Sequence, residues 1–418
     1  MPPERDAIDR AVALLQAGEL VAFPTETVYG LGADATNPAA VARIFTAKGR
    51  PADHPLIVHL PADSYLERWA REIPAVAWEL AEAFWPGPLT LILKRAAAVP
   101  GAVTGGQDSV GLRVPAHPLA LDLLRAYARA GGGLAGMCGV AAPSANRFGR
   151  ISPTEAAHVR DELGDAVKLI LDGGRCPVGI ESTILDLTPG SALPPRLLRP
   201  GRITREQIAT VIGVLPEIAG RQPDDRTPRV SGSLAAHYAP TTPLRLVPPG
   251  RLAEVIARLC QAGHRCAVLC YSQLPDQGAS PELRRLPGDP RGYASGLYAA
   301  LRELDQAATE LIVVEEIPAT PAWAAVADRL RRAACGAGRG TDLARRLRGV
   351  RGRPPPRGGP PGGGGGARRG LAPAGGGGGP PGGGGGGGCW ISISGNQLNA
   401  RSDSSRAGPA RCRYRRDR

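Results

Sequence analysis

The sequence predicts an α/β protein with two folded domains and a C-terminal tail that does not fold. Three observations carry this. Short apolar runs alternate with helical patterns as far as residue 335, apolar periodicity lapses between about 214 and 243, and the composition changes abruptly at residue 336. The 418 residues carry 51 Lys+Arg against 38 Asp+Glu, a formal charge of +13. That charge sits entirely in residues 336–418, which hold 16 Arg, no Lys, 3 Asp and 27 of the 57 glycines, whereas residues 1–335 hold 35 basic and 35 acidic side chains. A tail of this composition buries too little apolar surface to offset chain entropy, so it is expected to be disordered. Two readings of it stay open, an Arg/Gly-rich RNA-binding extension and an out-of-frame or read-through product of GC-rich coding DNA. The expected divisions are a first domain at 4–212, a linker at 213–243, a second domain at 244–335 and the tail at 336–418.

Each element has its own signal. Residues 4–18 place Ile8, Val12, Leu14 and Leu15 at helical spacing, and Gly18 stops the helix. Leu20–Phe23 reads as a buried strand ending at Pro24. A helix follows Asn37-Pro38 over about 38–47, then a strand at Leu56–Leu60, helices across 62–84, and strands at Leu89–Leu93 and Val110–Val114. A helix is expected at about 117–130 and another from Ser152-Pro153-Thr154-Glu155 to Leu163, the former residues resembling a capping box. Strands at Lys168–Leu171 and Thr183–Leu187 complete an α/β or α+β domain. Beyond the linker come helices at about 251–262, 292–307 and 322–334 and strands at Cys266–Tyr271 and Leu311–Glu315, a small doubly wound pattern of the Rossmann-like kind.

Several classes are disfavoured. No run of 18 apolar residues is present, and Met1-Pro2-Pro3-Glu4-Arg5-Asp6 lacks the features of a signal peptide, so a cytoplasmic protein without membrane contact is expected. Eight cysteines show no Cys-x-x-Cys pair and no His at zinc-finger spacing, and no protein metal site is expected. No Gly-x-x-x-x-Gly-Lys-[Ser/Thr] loop occurs, so any nucleotide must be held without a P-loop.

Four segments suggest chemistry. Pro24–Gly32 runs from a strand into Thr-Glu-Thr and two glycines, the place where ligands collect in α/β domains, although a plain turn accounts for it equally well. Lys48-Gly49-Arg50 ends a helix, and Lys48 is one of three lysines beside 48 arginines; the pair suits a grip on polyphosphate, against the bland reading of dipole partners at a helix C-terminus. Ser144-Ala145-Asn146 offers a hydroxyl and an amide from one side of an extended chain, or a helix cap. Asp172–Thr183 is a Gly-rich loop with backbone N–H groups suited to anions.

Together these segments resemble the threonylcarbamoyl-AMP synthases of the YrdC-like class, in the long form with an additional C-terminal domain. The likeness covers about residues 5–335 and rests on PTETVYGLG (24–32), AKGRP and HPLIVHL (47–60), GLRVPAHP (111–118), APSAN (142–146), DGG and CPVGIEST (172–183) and LRPG (198–201), in the family's order. The resemblance implies a twisted open-sheet YrdC-like fold around a positively lined cavity. It implies a reaction joining L-threonine, bicarbonate or CO2, and ATP into threonylcarbamoyl-adenylate and pyrophosphate, for modification of tRNA by a downstream threonylcarbamoyl transferase complex. By the same resemblance Lys48, Arg50, Ser144 and Asn146 surround the ATP phosphates as the catalytic set. Thr27, His59, Arg113, the Ala142 backbone and Ser182 line the threonine pocket, and Arg50, His54, Ser109, Ser144, Ser152, Arg199 and Tyr238 face ATP, with Mg²⁺ held mainly by the ATP phosphates. In long members the linker crosses the cavity mouth and ends in His-Tyr-Ala-Pro, here His237–Pro240. This chain departs from the family at Ser231–Ala236, which lacks the usual basic and aromatic side chains, at His54, where Asn is more usual, and at Gly131–Gly139, which looks like an insertion.

The chemistry needs no protein nucleophile. Threonine's amine becomes a carbamate whose oxygen attacks the α-phosphorus, so the site must supply a carboxylate anchor, for which Arg113 is the natural partner, together with positioning and charge stabilisation. The competing reading is a double-stranded RNA-binding or ribosome-maturation module using a basic concave surface; the neutral balance of residues 1–335 counts against it, leaving weak RNA binding as a side property. A carbamoyl-transfer maturation factor would carry zinc-finger and acylphosphatase-type modules that this chain lacks.

Overall fold

The computed structural model describes residues 3–190, 193–219, 227–273 and 282–338. Residues 339–418 of the tail and 220–226 of the linker therefore lie outside the described residues.

Helix α1 (Pro3–Gln16) is followed by strands β1 (Val21–Phe23) and β2 (Gly30–Asp34) and helix α2 (Pro38–Lys48). Asn37 caps α2 by accepting from the Ala39 and Ala40 amides. Next come β3 (Ile57–His59), α3 (Leu66–Trp69), α4 (Ala75–Phe84), β4 (Leu89–Lys94), α5 (Gly101–Thr104), β5 (Ser109–Arg113), α6 (Pro118–Arg129) and β6 (Val140–Ala141). The first domain closes with α7 (Ala156–Leu163), β7 (Leu169–Ile170), β8 (Thr183–Asp186), β9 (Arg196–Arg199) and α8 (Arg205–Ile212), and β10 (Glu217–Ile218) lies in the expected linker. The ten strands form one mixed sheet in the order β10-β9-β8-β4-β5-β3-β6-β2-β1-β7. One apolar core gathers Leu31, Ile44, Val58, Trp69, Leu80 and Leu91, and another packs α1 on α6 through Leu15, Leu123, Leu124 and Tyr127.

The second sheet comprises β11 (Leu244–Val247), β12 (Cys266–Cys270), β13 (Glu282–Arg285) and β14 (Leu311–Glu315), in the order β11-β14-β12-β13. All three pairings are parallel, and helices α9 (Leu252–Gln261), α10 (Pro290–Gln306) and α11 (Ala324–Gly336) connect or flank the strands. The two strands expected from sequence are therefore half of a four-stranded Rossmann-like sheet, and α11 runs one residue past the expected boundary at 335.

The two sheets share an apolar core. Val28, Ile151 and Ile180 from the first domain and Tyr238 from the linker pack with Tyr293, Leu297, Tyr298, Trp323 and Leu330 of the second. Ion pairs add to it, with Arg302 on Glu162 at 3.2 Å and Arg150 on Asp305 at 3.4 Å. Asp305 also accepts from the Thr241 and Thr242 amides.

One local expectation is corrected. Ser152–Glu155 makes no capping box; α7 begins after Glu155, which forms no side-chain cap, and the Thr154 amide donates instead to His158 Nδ1 at 3.3 Å. The capping box that does form joins Thr204 and Gln207 at the start of α8. The inserted segment 131–139 turns back on itself, burying Met137 and Cys138 and presenting the Cys138 carbonyl to the Trp69 indole.

Candidate active site

Of the residues expected to line the threonine pocket, His59 and Arg113 meet because parallel β3 and β5 place them side by side in register. The Arg113 guanidinium donates from Nε to the Gly87 carbonyl at 3.1 Å, from Nη1 to Thr27 Oγ1 at 3.0 Å and from Nη2 to Glu26 Oε1 at 2.6 Å. Three of its five N–H groups are thus engaged, and the other two remain for a ligand. Thr25 holds the loop in place: its hydroxyl donates to the Val28 carbonyl at 2.7 Å and accepts from the Thr27 amide at 3.1 Å. The second Glu26 oxygen accepts from the Ala116 amide at 3.0 Å. His59 is buried with Nδ1 unpartnered, and burial, reinforced by Arg113, pushes its pKa down to about 3, so the ring is neutral at physiological pH. The Ala142 amide donates to the Ile57 carbonyl at 3.0 Å, so only its carbonyl can serve a ligand. The Ser182 hydroxyl lies 2.7 Å from Thr90 Oγ1 and accepts from Arg199 Nη2 at 3.0 Å.

On the other side, α2 ends at Lys48 and Gly49 takes the left-handed conformation, φ 60°, which turns Arg50 back toward the site. The Lys48 ammonium donates to the Ser144 and Asn146 carbonyls, both at 2.5 Å, while its own carbonyl accepts from the Phe148 amide at 2.8 Å. Burial and the neighbouring Arg50 lower its pKa well below the usual lysine value. Lys48 thus ties down the Ser-x-Asn segment with two of its three N–H groups, and Arg50 has fewer hydrogen-bond partners. Arg50 donates to the Pro55 carbonyl at 2.9 Å, keeps a buried Nε without a partner, and lies 5.6 Å from the Phe148 ring centre. Asn146 spends its amide N–H groups on the Arg147 and Arg150 carbonyls, leaving Oδ1 buried and unpartnered, and Ser144 is half-buried.

Of the residues expected to face ATP, Ser152 and Tyr238 are tied to the second domain. The Ser152 hydroxyl donates to Glu181 Oε1 at 2.6 Å. Glu181 also accepts from the Tyr298 hydroxyl at 3.0 Å and from Arg329 Nε at 2.7 Å. Burial alone would raise the Glu181 pKa, but Arg329 and Arg199 outweigh it and hold it at about 2. Arg199 binds the Ser182 carbonyl at 3.0 Å and the linker's Ser231 carbonyl at 2.9 Å. Tyr238, at φ 59°, stacks on Tyr298 with ring centres 5.7 Å apart. Burial pushes the His237 pKa down to about 3.

The linker crosses the first domain as a strap. Arg229 donates to the Gly105 carbonyl at 2.8 Å, its backbone pairs with the Gln107 amide group, and Val230 packs on Ile92 and Ile184. Ser109 lines a small cavity with Val230 and Ser231. At 231–236 the strap is held through backbone carbonyls, Ser231 accepting from Arg199 at 2.9 Å and Ser233 from Arg332 at 2.7 Å. A cleft of about 1770 Å³ opens between strap, α10 and α11, and of the expected site residues only His54 lines it. The anchoring chemistry lies elsewhere, among buried residues, so the chemistry and not the cavity size locates the site. His54 meets the Phe148 ring edge-on at 5.2 Å. Sequence reasoning missed Glu26, Glu181, Tyr298 and Arg329; the two glutamates lay inside quoted motifs without a role.

A buried guanidinium held at a strand end beside a neutral imidazole and a set of hydroxyls makes this an α/β protein with a place able to hold a small carboxylate. The chain belongs to the threonylcarbamoyl-AMP synthase family and is an enzyme of that kind. The family profile described as telomere recombination, covering Sua5, YciO and YrdC proteins, matches residues 13–201. The threonylcarbamoyl-AMP synthase C-terminal domain matches 203–335. The threonylcarbamoyl-AMP synthase of Pyrococcus abyssi is 40% identical over 332 residues, spanning 77% of this chain and 92% of that protein. The Bacillus subtilis enzyme of the same name is 42% identical, spanning 79% and 93%. The crystal structure of P. abyssi Sua5 complexed with L-threonine superposes with a TM-score of 0.71 at 39% identity, covering 78% of this chain and 94% of that one.

Proposed function

We propose that the enzyme joins L-threonine, bicarbonate or CO2, and ATP into threonylcarbamoyl-adenylate with release of pyrophosphate, and that the product is passed to a tRNA threonylcarbamoyl transferase complex. The observation that carries this reading is Arg113, buried, with two N–H groups uncommitted and a neutral His59 beside it. A threonine carboxylate takes the two open N–H groups. The Thr27, Thr90 and Ser182 hydroxyls and the unprotonated His59 ring suit its hydroxyl and amine, and a neutral imidazole accepts from the amine without competing for the carboxylate.

The amine attacks CO2, and one carbamate oxygen then attacks the α-phosphorus as pyrophosphate leaves. Arg50 and Arg199 oppose the charge that develops on the phosphates, and the Ser144–Asn146 segment, fixed by Lys48, contributes a hydroxyl and an amide oxygen. Buried positioning of this kind contributes several kcal/mol to lowering the barrier. Mg²⁺ enters with ATP as part of the substrate; among the described residues no group of three or more His, Cys, Asp or Glu stands together to hold a metal ion. No helix among them is long and apolar enough to cross a membrane. A cytoplasmic location is part of this reading.

The test is pyrophosphate release from ATP by purified protein. Release that requires both threonine and bicarbonate supports the reading, and release indifferent to threonine overturns it. Arg113→Lys removes the planar fork while keeping the charge, and it is expected to raise the threonine KM by roughly tenfold or more.

A further inference from the structure

We propose that Arg329, from the second domain, is a positioning residue of the active site: acting through Glu181, it sets the nucleotide-binding surface of the first domain. This inference rests on the synthase reading above. Arg329 lies on α11, and its side chain is fully buried, with 0% exposure. Its guanidinium donates to Glu181 Oε2 at 2.7 Å, to the Pro200 carbonyl at 3.0 Å and to Asp328 at 2.9 Å, and it covers the Tyr238 ring at 5.3 Å. Three of these partners adjoin or belong to the expected ATP-facing set: Glu181 holds Ser152, Pro200 follows Arg199, and Tyr238 is itself a member.

The consequence for the site is chemical as well as steric. Glu181 is ionised and accepts from Ser152, so the Ser152 proton is committed and the hydroxyl presents only lone pairs to a ligand. Without Arg329, Glu181 would keep the Tyr298 and Ser152 hydrogen bonds and the nearby charge of Arg199 but lose its ion-pair partner, and burial would shift it toward protonation. A protonated Glu181 no longer needs the Ser152 proton, and the hydroxyl is free to rotate. The threonine side is anchored separately, by Arg113 on Glu26. Loss of Arg329 therefore acts on ATP before it acts on threonine.

The experiment compares full-length wild type with Arg329→Lys, Arg329→Met, Glu181→Gln, the Glu181→Gln/Arg329→Met double variant and Tyr298→Phe. Each is assayed by threonine-dependent pyrophosphate release, calorimetric binding of ATP and of threonine, and thermal unfolding, with kinetics taken well below every unfolding midpoint. Arg329→Met is expected to raise the ATP KM by roughly tenfold or more, in line with groups that orient a ligand shell, while the threonine KM moves less than about threefold. Arg329→Lys recovers part of the loss, and the double variant loses less than the sum of its singles because both act through one carboxylate. Wild-type kinetic constants in folded Arg329→Met, or equal rises for both substrates, would overturn the proposal and leave Arg329 as interdomain glue. If Arg329→Met does not fold, Tyr298→Phe carries the test, since it removes one donor to Glu181 and no charge. Its ATP affinity is expected to fall about threefold, and an unchanged affinity counts against the proposal. Wild type that binds ATP but shows no threonine-dependent turnover would instead defeat the synthase reading, while the ATP-binding comparison still reads the role of Arg329.

Discussion

Lys48 marks how far residue chemistry can be read from sequence. Its rarity among 48 arginines singles it out, and its ammonium serves two carbonyls of the Ser144–Asn146 segment. A sequence shows a charge but not the acceptors that folding brings around it. Lys48→Met keeps the aliphatic stem and leaves both carbonyls without their donor. It is expected to destabilise the protein by about 2–5 kcal/mol, read by urea denaturation, as well as to abolish turnover. Unchanged stability with lost turnover would mean that the ammonium serves phosphate directly. Thr27, His59 and Arg113 were named from specific motifs, and the fold brings them together. Arg329 was not, since nothing local distinguishes it from other arginines until its 0% exposure and its partners are known.

Among the elements, those with β-branched or continuous apolar runs were legible from sequence, and β14 matches its expected bounds, Leu311–Glu315, in full. Strand β2 was hidden because Gly30-Leu31-Gly32 reads as a loop. The Gly32 position needs a missing side chain, since a Cβ there would stand 2.8 Å from the Phe23 ring and 2.9 Å from Val140. Strand β13, Glu-Leu-Arg-Arg, is an edge with mostly exposed residues and no apolar run, and β6, β7 and β10 are two residues each. Pattern reading needs more length or more burial than these provide. The strap offers a prediction at this scale. Arg229→Ala removes an exposed contact to the Gly105 and Asp53 carbonyls beside Ser109. It is expected to raise the ATP KM roughly three- to tenfold while shifting stability by less than about 1 kcal/mol. Steady-state kinetics with an unfolding curve checks this, and an unchanged ATP KM would show that the strap is passive.

At the scale of the molecule, the excess of positive charge lies outside the described residues, and the balanced remainder is organised by burial. Burial is the leading cause that lowers the pKa values of His54, His59, His117, His158 and His237. Their folded values lie below the unfolded value of about 6.5, so the unfolded chain takes up protons first as pH falls. Stability is therefore full above about pH 6.5 and declines below it, by about 1.4 kcal/mol per pH unit for each histidine that stays neutral. Glu181, held at about 2, adds a second loss only below about pH 4.5. Thermal unfolding followed from pH 8 to pH 5 is expected to show a midpoint that is level to about 6.5 and then drops. A flat profile to pH 5 would show that these histidines titrate normally.

The pairing of Glu181 with Arg329 also constrains how such a chain can change over generations. A substitution at either position alone strands a buried charge in the other half of the protein, whereas a matched exchange of both need not. The two halves are thus inherited as a linked pair, and a recombinant that joins the first half of one homologue to the second half of another stays sound only when both parents agree at these two positions.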